Sequence, residues 1–534
     1  MKKYKSGFLI VLMLLAALFM AVTLSACDIH AYLYGEQEQE EEEQEEAKEC
    51  EHNYVISANG LKPTCQQEGY DLFICSKCNA EKRQTLEKVG HEYRNNVCRW
   101  CGENAPAKYS VDSGNGATLL IYESTNIVNE KSYAFWFEGN GTFSDASTSK
   151  WQSYLKSLKT VRISGNVGLP AKAFYNAEYL YEVTILGSIV SVGKEAFFGC
   201  TSLKTFDFPN GLRTIGDGAF KNCDELTDVT IPDSLTSMGE NVFSGCDRLR
   251  NLTLPFIGSK NRQGADVTFG SIFGVGTEKN HSQVYEENEQ KTYFSIPDSL
   301  RNVTVTGGED VRSYSFAYCS APIEKLSYSA ELKKIEDYAF FCNSGLERIE
   351  FATGSELNDI EEHAFDNCTE LLSFSLPAGV KTVKMNAFSR CLKMSEFVFE
   401  EGSAVTTIAA DAFLSCISLQ KISFPVGLTT VETGAFKGCT ALEEVHIGEN
   451  VVSLGIKSFA DCSLSKVYID STTVANTTSN NESRLYGPGP GFELWIEENV
   501  TINSLSYVND HYTCPNKHVL TEVGGKNYRY WKIK

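Results

Sequence analysis

The sequence lacks a cationic excess. Its 48 Lys and Arg stand against 69 Asp and Glu, for a net charge of −21. Binding to a phosphate backbone needs the opposite balance, so no nucleic-acid partner is expected, and no basic patch is available for an acidic membrane surface. The short signatures of catalysis are missing too: there is no Gly-x-Ser-x-Gly, no His-Glu-x-x-His and no phosphate-loop glycine pattern. Carboxylates abound, but none is singled out as a glycosidase-like pair. After Leu24 no stretch is long and apolar enough to span a bilayer. The chain is expected not to be an enzyme. A surface hydrolase with its site in a terminal segment stays open as an alternative.

The N-terminus carries the one long apolar run. Lys2, Lys3 and Lys5 precede Phe8 to Leu24, the plan of a signal peptide over residues 1–26. Residues 27–49 follow as a tether. The run from Glu36 to Glu51, EQEQEEEEQEEAKECE, holds about half of the net negative charge. Such a run repels itself and stays solvated, although it could also capture cations.

What dominates the rest is repetition. The phrase Leu-x-x-Ile-x-Ile-Pro…Leu-x-x-Ile-Gly-x-x-Ala-Phe-x-x-Cys returns about every 23 residues between Phe174 and Cys462. A fixed period in this range means a solenoid, in which each coil buries its apolar face only against its neighbours. Twelve phenylalanines mark twelve coils: Phe174, Phe197, Phe220, Phe243, Phe273, Phe316, Phe340, Phe365, Phe388, Phe413, Phe436 and Phe459. In the coil Leu203 to Asp224, Leu203, Phe206 and Phe208 have strand spacing and Pro209-Asn210-Gly211 turns the chain. Leu212 and Ile215 then form a second apolar segment, and Ala219, Phe220 and Cys223 close the coil. The predicted fold is a mainly β repeat solenoid with a parallel sheet over residues 161–470. Residues 104–160 and 471–534, which leave the repeat and read as β-rich, are expected to cap its ends.

Identical side chains in a stack point the same way, whereas bridged cysteines must face each other. The terminal Cys of each coil is therefore read as a small buried packing residue. Ala177 and Gly276 at the same position fit that reading. Two irregularities stand out: a long excursion at about residues 257–294, and Cys342, one place early in its coil.

These repeats resemble the BspA-like leucine-rich repeats of bacterial cell-surface proteins, because Ala-Phe-x-x-Cys recurs in phase with Leu-x-x-Ile-x-Ile. The resemblance implies a surface protein linked to adhesion, with a host or microbial protein as partner. Leu24-Ser25-Ala26-Cys27 resembles the bacterial lipobox. That likeness implies cleavage before Cys27, a diacylglycerol thioether on it, and contact with the membrane through this anchor alone.

Residues 50–103 form a separate Cys/His-rich unit. Cys75-x2-Cys78 and Cys98-x2-Cys101, separated by nineteen residues, fit a zinc-ribbon pattern. Cys50, His52, Cys65 and His91 complete eight possible ligands, enough for two closed, structural zinc sites. About fifty residues bury little core, and bound metal would supply folding free energy. Disulfides are the competing reading, favoured in exported proteins. Metal-free folded protein without free thiols would exclude zinc. A weaker metal pattern, His511-x2-Cys514-x3-His518, lacks a nearby fourth ligand.

Binding is expected on the outward columns of the sheet, the residues before and after the central apolar one. Asp228, Arg348, Glu350, Glu396, Lys421, Glu444, His446 and Tyr468 are the candidates, with Tyr468 the rare aromatic and His446 expected to be solvated. Ser and Thr fill much of the rest, so the face could take a protein, a glycan, or only water. The 257–294 excursion, which holds Glu278, Glu286, Glu287 and Glu289 with Phe269, Phe273, Tyr285 and Tyr293, is expected to share in the partner surface as a detachable loop. The alternative to adhesion is capture of glycans or peptides for uptake.

Overall fold

The computed structural model describes residues 107–125, 129–259, 268–277, 282–287 and 290–471. It also describes the strands Tyr54–Ile56, Gly69–Cys75, Glu81–Leu86, Tyr93–Arg94, Val97–Cys98, Glu493–Glu497, Tyr512–Thr513, Leu520–Val523 and Lys526–Ile533. The signal peptide, Cys27, the acidic tether and the His511 to His518 motif's three ligands lie outside the described residues. The chain divides into two compact units, 1–89 and 90–534. In the first, Gly69–Cys75 pairs antiparallel with Tyr54–Ile56 on one side and with Glu81–Leu86 on the other. Among the described residues no helix is long and apolar enough to cross a membrane.

In the second unit the repeats wind into a parallel β-solenoid of about 14 turns. The sequence expectation was twelve, because turns were counted by their phenylalanines. Two further strands lack that mark. Lys131–Gly139 joins the first repeat strand in parallel, with Phe135 opposite Val161 and Phe137 opposite Ile163. Glu493–Glu497 does the same at the other end, with Leu494 opposite Val467. Each end then switches to antiparallel pairing, with Ala117–Thr125 and with Lys526–Ile533 respectively.

Each coil has three sides. The first is the main parallel sheet, in register from coil to coil: Asn251, Asn302 and Lys325 lie opposite one another, as do Leu252, Val303 and Leu326. Leu203 to Phe208, expected as a strand of this sheet, makes no ladder there. Leu203 and Phe206 still point inside, and Lys204, Thr205 and Asp207 outside. The second side is a ladder of very short strands such as Lys334–Ile335 and Asp359–Ile360. Among the described residues this ladder is interrupted between Ser237–Met238 and Asp310–Val311, and again between Asp359–Ile360 and Thr382–Val383.

The third side is a turn built around the repeat phenylalanine. Its amide donates to the next coil, as from Phe174 to the Ala196 carbonyl at 2.7 Å and from Phe413 to that of Ala435 at 2.7 Å. The residues two before and two after the Phe adopt left-handed backbone. In one coil these are Gly218 and Asn222, with φ of 59° and 58°. Glycine and asparagine tolerate that region; larger side chains are strained in it. Cys342 is explained here. It occupies the left-handed position two after Phe340, with φ of 54°, and the next residue, Asn343, fills the buried place that other coils give to Cys.

The buried cysteines are free thiols. Eight of the nine donate their S–H to the Phe carbonyl of the preceding coil, such as Cys200 to Phe174 at 3.3 Å, Cys391 to Phe365 at 3.3 Å and Cys439 to Phe413 at 3.1 Å. Asn343 reproduces the bond through its amide nitrogen, 3.1 Å from the Phe316 carbonyl. The position therefore accepts a small donor without requiring sulfur, and in the first coil Ala177 fills it with none. Burial drives the thiol pKa values upward, to about 12 for Cys246 and Cys319. These groups stay protonated and unreactive, since the thiolate is the nucleophile.

Candidate binding surface

The outward columns of the main sheet follow directly from strand alternation. Their first half is bonded to itself. The Asn251 amide donates to Asp228 at 2.5 Å, and the Asn302 amide donates to Asn251 at 2.8 Å. The hydroxyl of Thr227 and the amide of Asn251 hold the Asp228 carboxyl below its ordinary pKa. One coil further on, Lys325 pairs with Glu350 at 2.6 Å.

Arg348, Glu396, Lys421 and Glu444 differ. All four are exposed, and among the described residues none makes a side-chain hydrogen bond or ion pair. Glu396 stands opposite Lys421 in the ladder, and Arg348 bridges to Ser373 beside them. Val398, 43% exposed, lies two residues beyond Glu396 on the same face. This stretch presents both charge signs and one apolar side chain on a rigid frame.

His446 and Tyr468 do not belong to that surface. Tyr468 is only 6% exposed. The Tyr528 ring packs edge-on against it at 5.1 Å, and Trp495 stacks at 6.3 Å. His446 Nε2 lies 2.7 Å from the Tyr528 hydroxyl and 3.1 Å from Asp470 Oδ1. That hydroxyl donates to Asp470 at 2.6 Å, and Lys526 donates to the second carboxylate oxygen at 2.9 Å. The expectation of an aromatic anchor at Tyr468 fails because the chain returns some sixty residues later to cover it, whereas the His446 side chain stays 41% exposed while bonded to Tyr528 and Asp470.

Asp470 fastens this return. Burial alone would raise its pKa, but hydrogen bonds from His446, Lys526 and Tyr528 outweigh it and hold the carboxyl at about 2, against an ordinary 3.8. A depressed folded-state pKa stabilises the fold at pH values above the ordinary one, and that contribution disappears as pH falls through the folded value. The strand Lys526–Ile533 is therefore expected to loosen between about pH 4 and pH 2. Tryptophan fluorescence of the wild type should show this step, and an Asp470→Asn variant should not. Identical acid profiles for the two proteins would mean that the carboxylate is not the fastening.

The 257–294 excursion is not a detachable loop. Phe269, Ile272 and Phe273 from it are fully buried. The ring stacked on Phe316 is Phe269, at 4.8 Å, and not the expected Phe273, which packs beside it at 5.2 Å. Gln283–Glu287 and Gln290–Phe294 form an antiparallel hairpin. Its root is held by the buried side chain of Gln283, which accepts from the Gly270 amide at 2.6 Å and donates to the carbonyls of Ser315 and Ala317 at 3.0 and 3.2 Å. The hairpin is thus fixed beside a Phe turn, away from the outward sheet columns. Glu278 and Glu289 lie outside the described residues.

Of the expected metal ligands, Cys75 and Cys98 end or close short strands. Cys50, His52, Cys65, Cys78, His91 and Cys101 lie outside the described residues. Among the described residues no group of three or more His, Cys, Asp or Glu could hold a metal.

One cluster escaped the sequence reading. On three successive coils the left-handed position before the Phe carries a ring: Tyr314, Tyr338 and His363, stacked at 5.4 and 4.8 Å. Asp366, 2% exposed, binds His363 Nδ1 at 2.9 Å and takes a two-pronged contact from Arg390 at 2.8 and 2.9 Å. Aligning the coils on Phe and reading the column two residues earlier would have revealed the row.

The model of the BspA type leucine rich repeat region matches in 6 copies, over residues 168–263, 287–405 and 406–483. These segments make up more than half of the chain. No curated protein matches it. Several solved structures do. A leucine-rich repeat protein from Eubacterium ventriosum is 19% identical and covers 70% of this chain and 99% of its own, with a TM-score of 0.30. One from Bacteroides ovatus is 19% identical and covers 68% and 94%, with a TM-score of 0.30. A leucine rich cell surface protein from Faecalibacterium prausnitzii is 19% identical and covers 72% and 94%, with a TM-score of 0.24.

Proposed function

Since the chain belongs to the BspA-type leucine-rich-repeat family, we propose that it is a lipid-anchored bacterial cell-surface protein that binds a host or microbial surface protein without catalysis. The observation that carries this reading is the unpaired mixed-charge stretch Arg348, Glu396, Lys421 and Glu444, with Glu350 beside it, on a face that no other described segment covers. Unpaired charges of both signs on a rigid sheet suit a protein partner, because complementary charge steers encounter and fixes register. The resemblance of Leu24 to Cys27 to a lipobox supports the anchor, and the Cys and His spacing of residues 50–103 supports structural zinc.

The test is direct. Arg348→Glu combined with Lys421→Glu should leave melting unchanged, since both side chains are exposed and unpaired. Binding of the fluorescent chain to partner cells should fall about tenfold or more, equivalent to about 1.4 kcal/mol. Wild-type binding should weaken with added salt. Equal binding by the folded double variant would sink the sheet-face reading. The anchor is checked separately: a Cys27→Ser variant of unchanged processed mass and unchanged membrane retention would argue against lipidation.

A further inference from the structure

At the N-terminal end of the solenoid lies a cavity of about 690 Å³, lined by Gln152, Leu155, Lys156, Lys172, Tyr175, Asn176, Glu178 and Tyr179. That volume is within the usual range for small-molecule sites. Two segments build it. One is the 3-10 helix Gln152–Ser157, and the other is the Phe turn of the first coil. Their relation is fixed. Trp151, fully buried, packs near the end-cap rings and donates its indole N–H to the Ala173 carbonyl at 2.7 Å. Asp145 accepts the Ala171 amide at 2.8 Å. The cavity is therefore preformed.

Its chemistry is specific. Tyr179 is 60% exposed, so its ring presents aromatic surface to solvent at the cavity. Tyr175 stacks on Phe198 at 4.7 Å and holds the Lys172 ammonium over its ring at 5.2 Å. Glu195 partly neutralises Lys172 at 3.4 Å. Lys156 is exposed and makes no side-chain hydrogen bond or ion pair among the described residues. Asn176, Gln152 and Glu178 supply amide and carboxylate groups at the rim.

We infer that this cavity binds an acidic saccharide, a sugar bearing a carboxylate. The C–H face of a pyranose packs on the Tyr179 ring, as apolar faces do on aromatic surface. The ligand carboxylate meets Lys156 in a charge-assisted bond. Sugar hydroxyls pair with Asn176, Gln152 and Glu178. Glu178 opposes a dianionic phosphate more strongly than a singly charged carboxylate, and the hydroxyls of a sugar can donate to Glu178. The site is separate from the sheet face proposed for the protein partner.

The experiment titrates the intact chain calorimetrically with 3′-sialyllactose and with trigalacturonic acid, against lactose as the neutral counterpart. Both acidic probes should bind at least tenfold more tightly than lactose. Lys156→Gln should reduce them to the lactose level, and Tyr179→Ala should remove binding of all three. Both side chains are exposed, so melting should be unchanged in each variant. Acidic probes that bind no better than lactose, or not at all, overturn the inference. So does undiminished binding by Lys156→Gln or by Tyr179→Ala.

Discussion

Phe413→Ala should destabilise the solenoid by about 3–5 kcal/mol, the range for emptying a buried aromatic site. The ring is wholly buried. It stacks on Phe388 at 5.6 Å and on Phe436 at 5.0 Å, and meets Phe397 edge-on at 4.8 Å. Its removal takes a ring contact from three neighbours at once. Each coil is stabilised by its neighbours alone, so the loss should travel to the adjacent coils instead of lowering the whole transition evenly. Urea denaturation would then show a reduced midpoint with a broadened transition. An unchanged midpoint would place Phe413 outside the core.

Deleting residues 260–290 should be at least as damaging. A surface loop of this length costs little to remove, since closure entropy varies slowly with length. Here the deleted residues include Phe269, Ile272 and Phe273, all buried, and the Gln283 side chain that joins the Gly270 amide to the Ser315 and Ala317 carbonyls. The expected product separates into unequal unfolding transitions, or does not fold. Replacing only Glu286 to Lys291 by an Asn-Gly turn spares these residues and should leave stability within about 0.5 kcal/mol of wild type. If the long deletion melts like wild type, the core of the fifth coil is not as described.

The architecture was legible because a solenoid writes its period into the sequence. Spacing alone placed the twelve rings in the core, although in the fifth coil it named Phe273 where Phe269 makes the stack. An insertion there offers two phenylalanines four residues apart, and periodicity cannot choose between them. Reading the recurring cysteines as packing residues was possible because stacked identical side chains cannot face each other. That Asn343 does the same work was not, since its equivalence lies in a hydrogen bond to the Phe316 carbonyl and not in volume or hydropathy. The outward columns were legible from strand alternation, and Arg348, Glu350, Glu396, Lys421 and Glu444 are exposed as expected. Tyr468 was misread because Tyr528, far along the chain, covers it, and the bonds of His446 to Tyr528 and Asp470 were invisible for the same reason. The cavity at the first coil was invisible for a related reason: Lys156 and Tyr179 come together only when a segment without the repeat docks on one that has it.

The interrupted second ladder has a mechanical consequence. A solenoid pulled along its axis carries load through rows of hydrogen bonds on its sides, all strained together. Among the described residues one of those rows is interrupted between Asp359–Ile360 and Thr382–Val383, and over a longer span between Ser237–Met238 and Asp310–Val311. On the turn side of that junction, the Gln283 carboxamide supplies three of the bonds that tie the segment together. A molecule held at one end and gripping at the other would yield at such interruptions before its continuous stretches. The coils on either side would remain wound as intact blocks joined by a paid-out length of chain, so the interruptions act as shock absorbers.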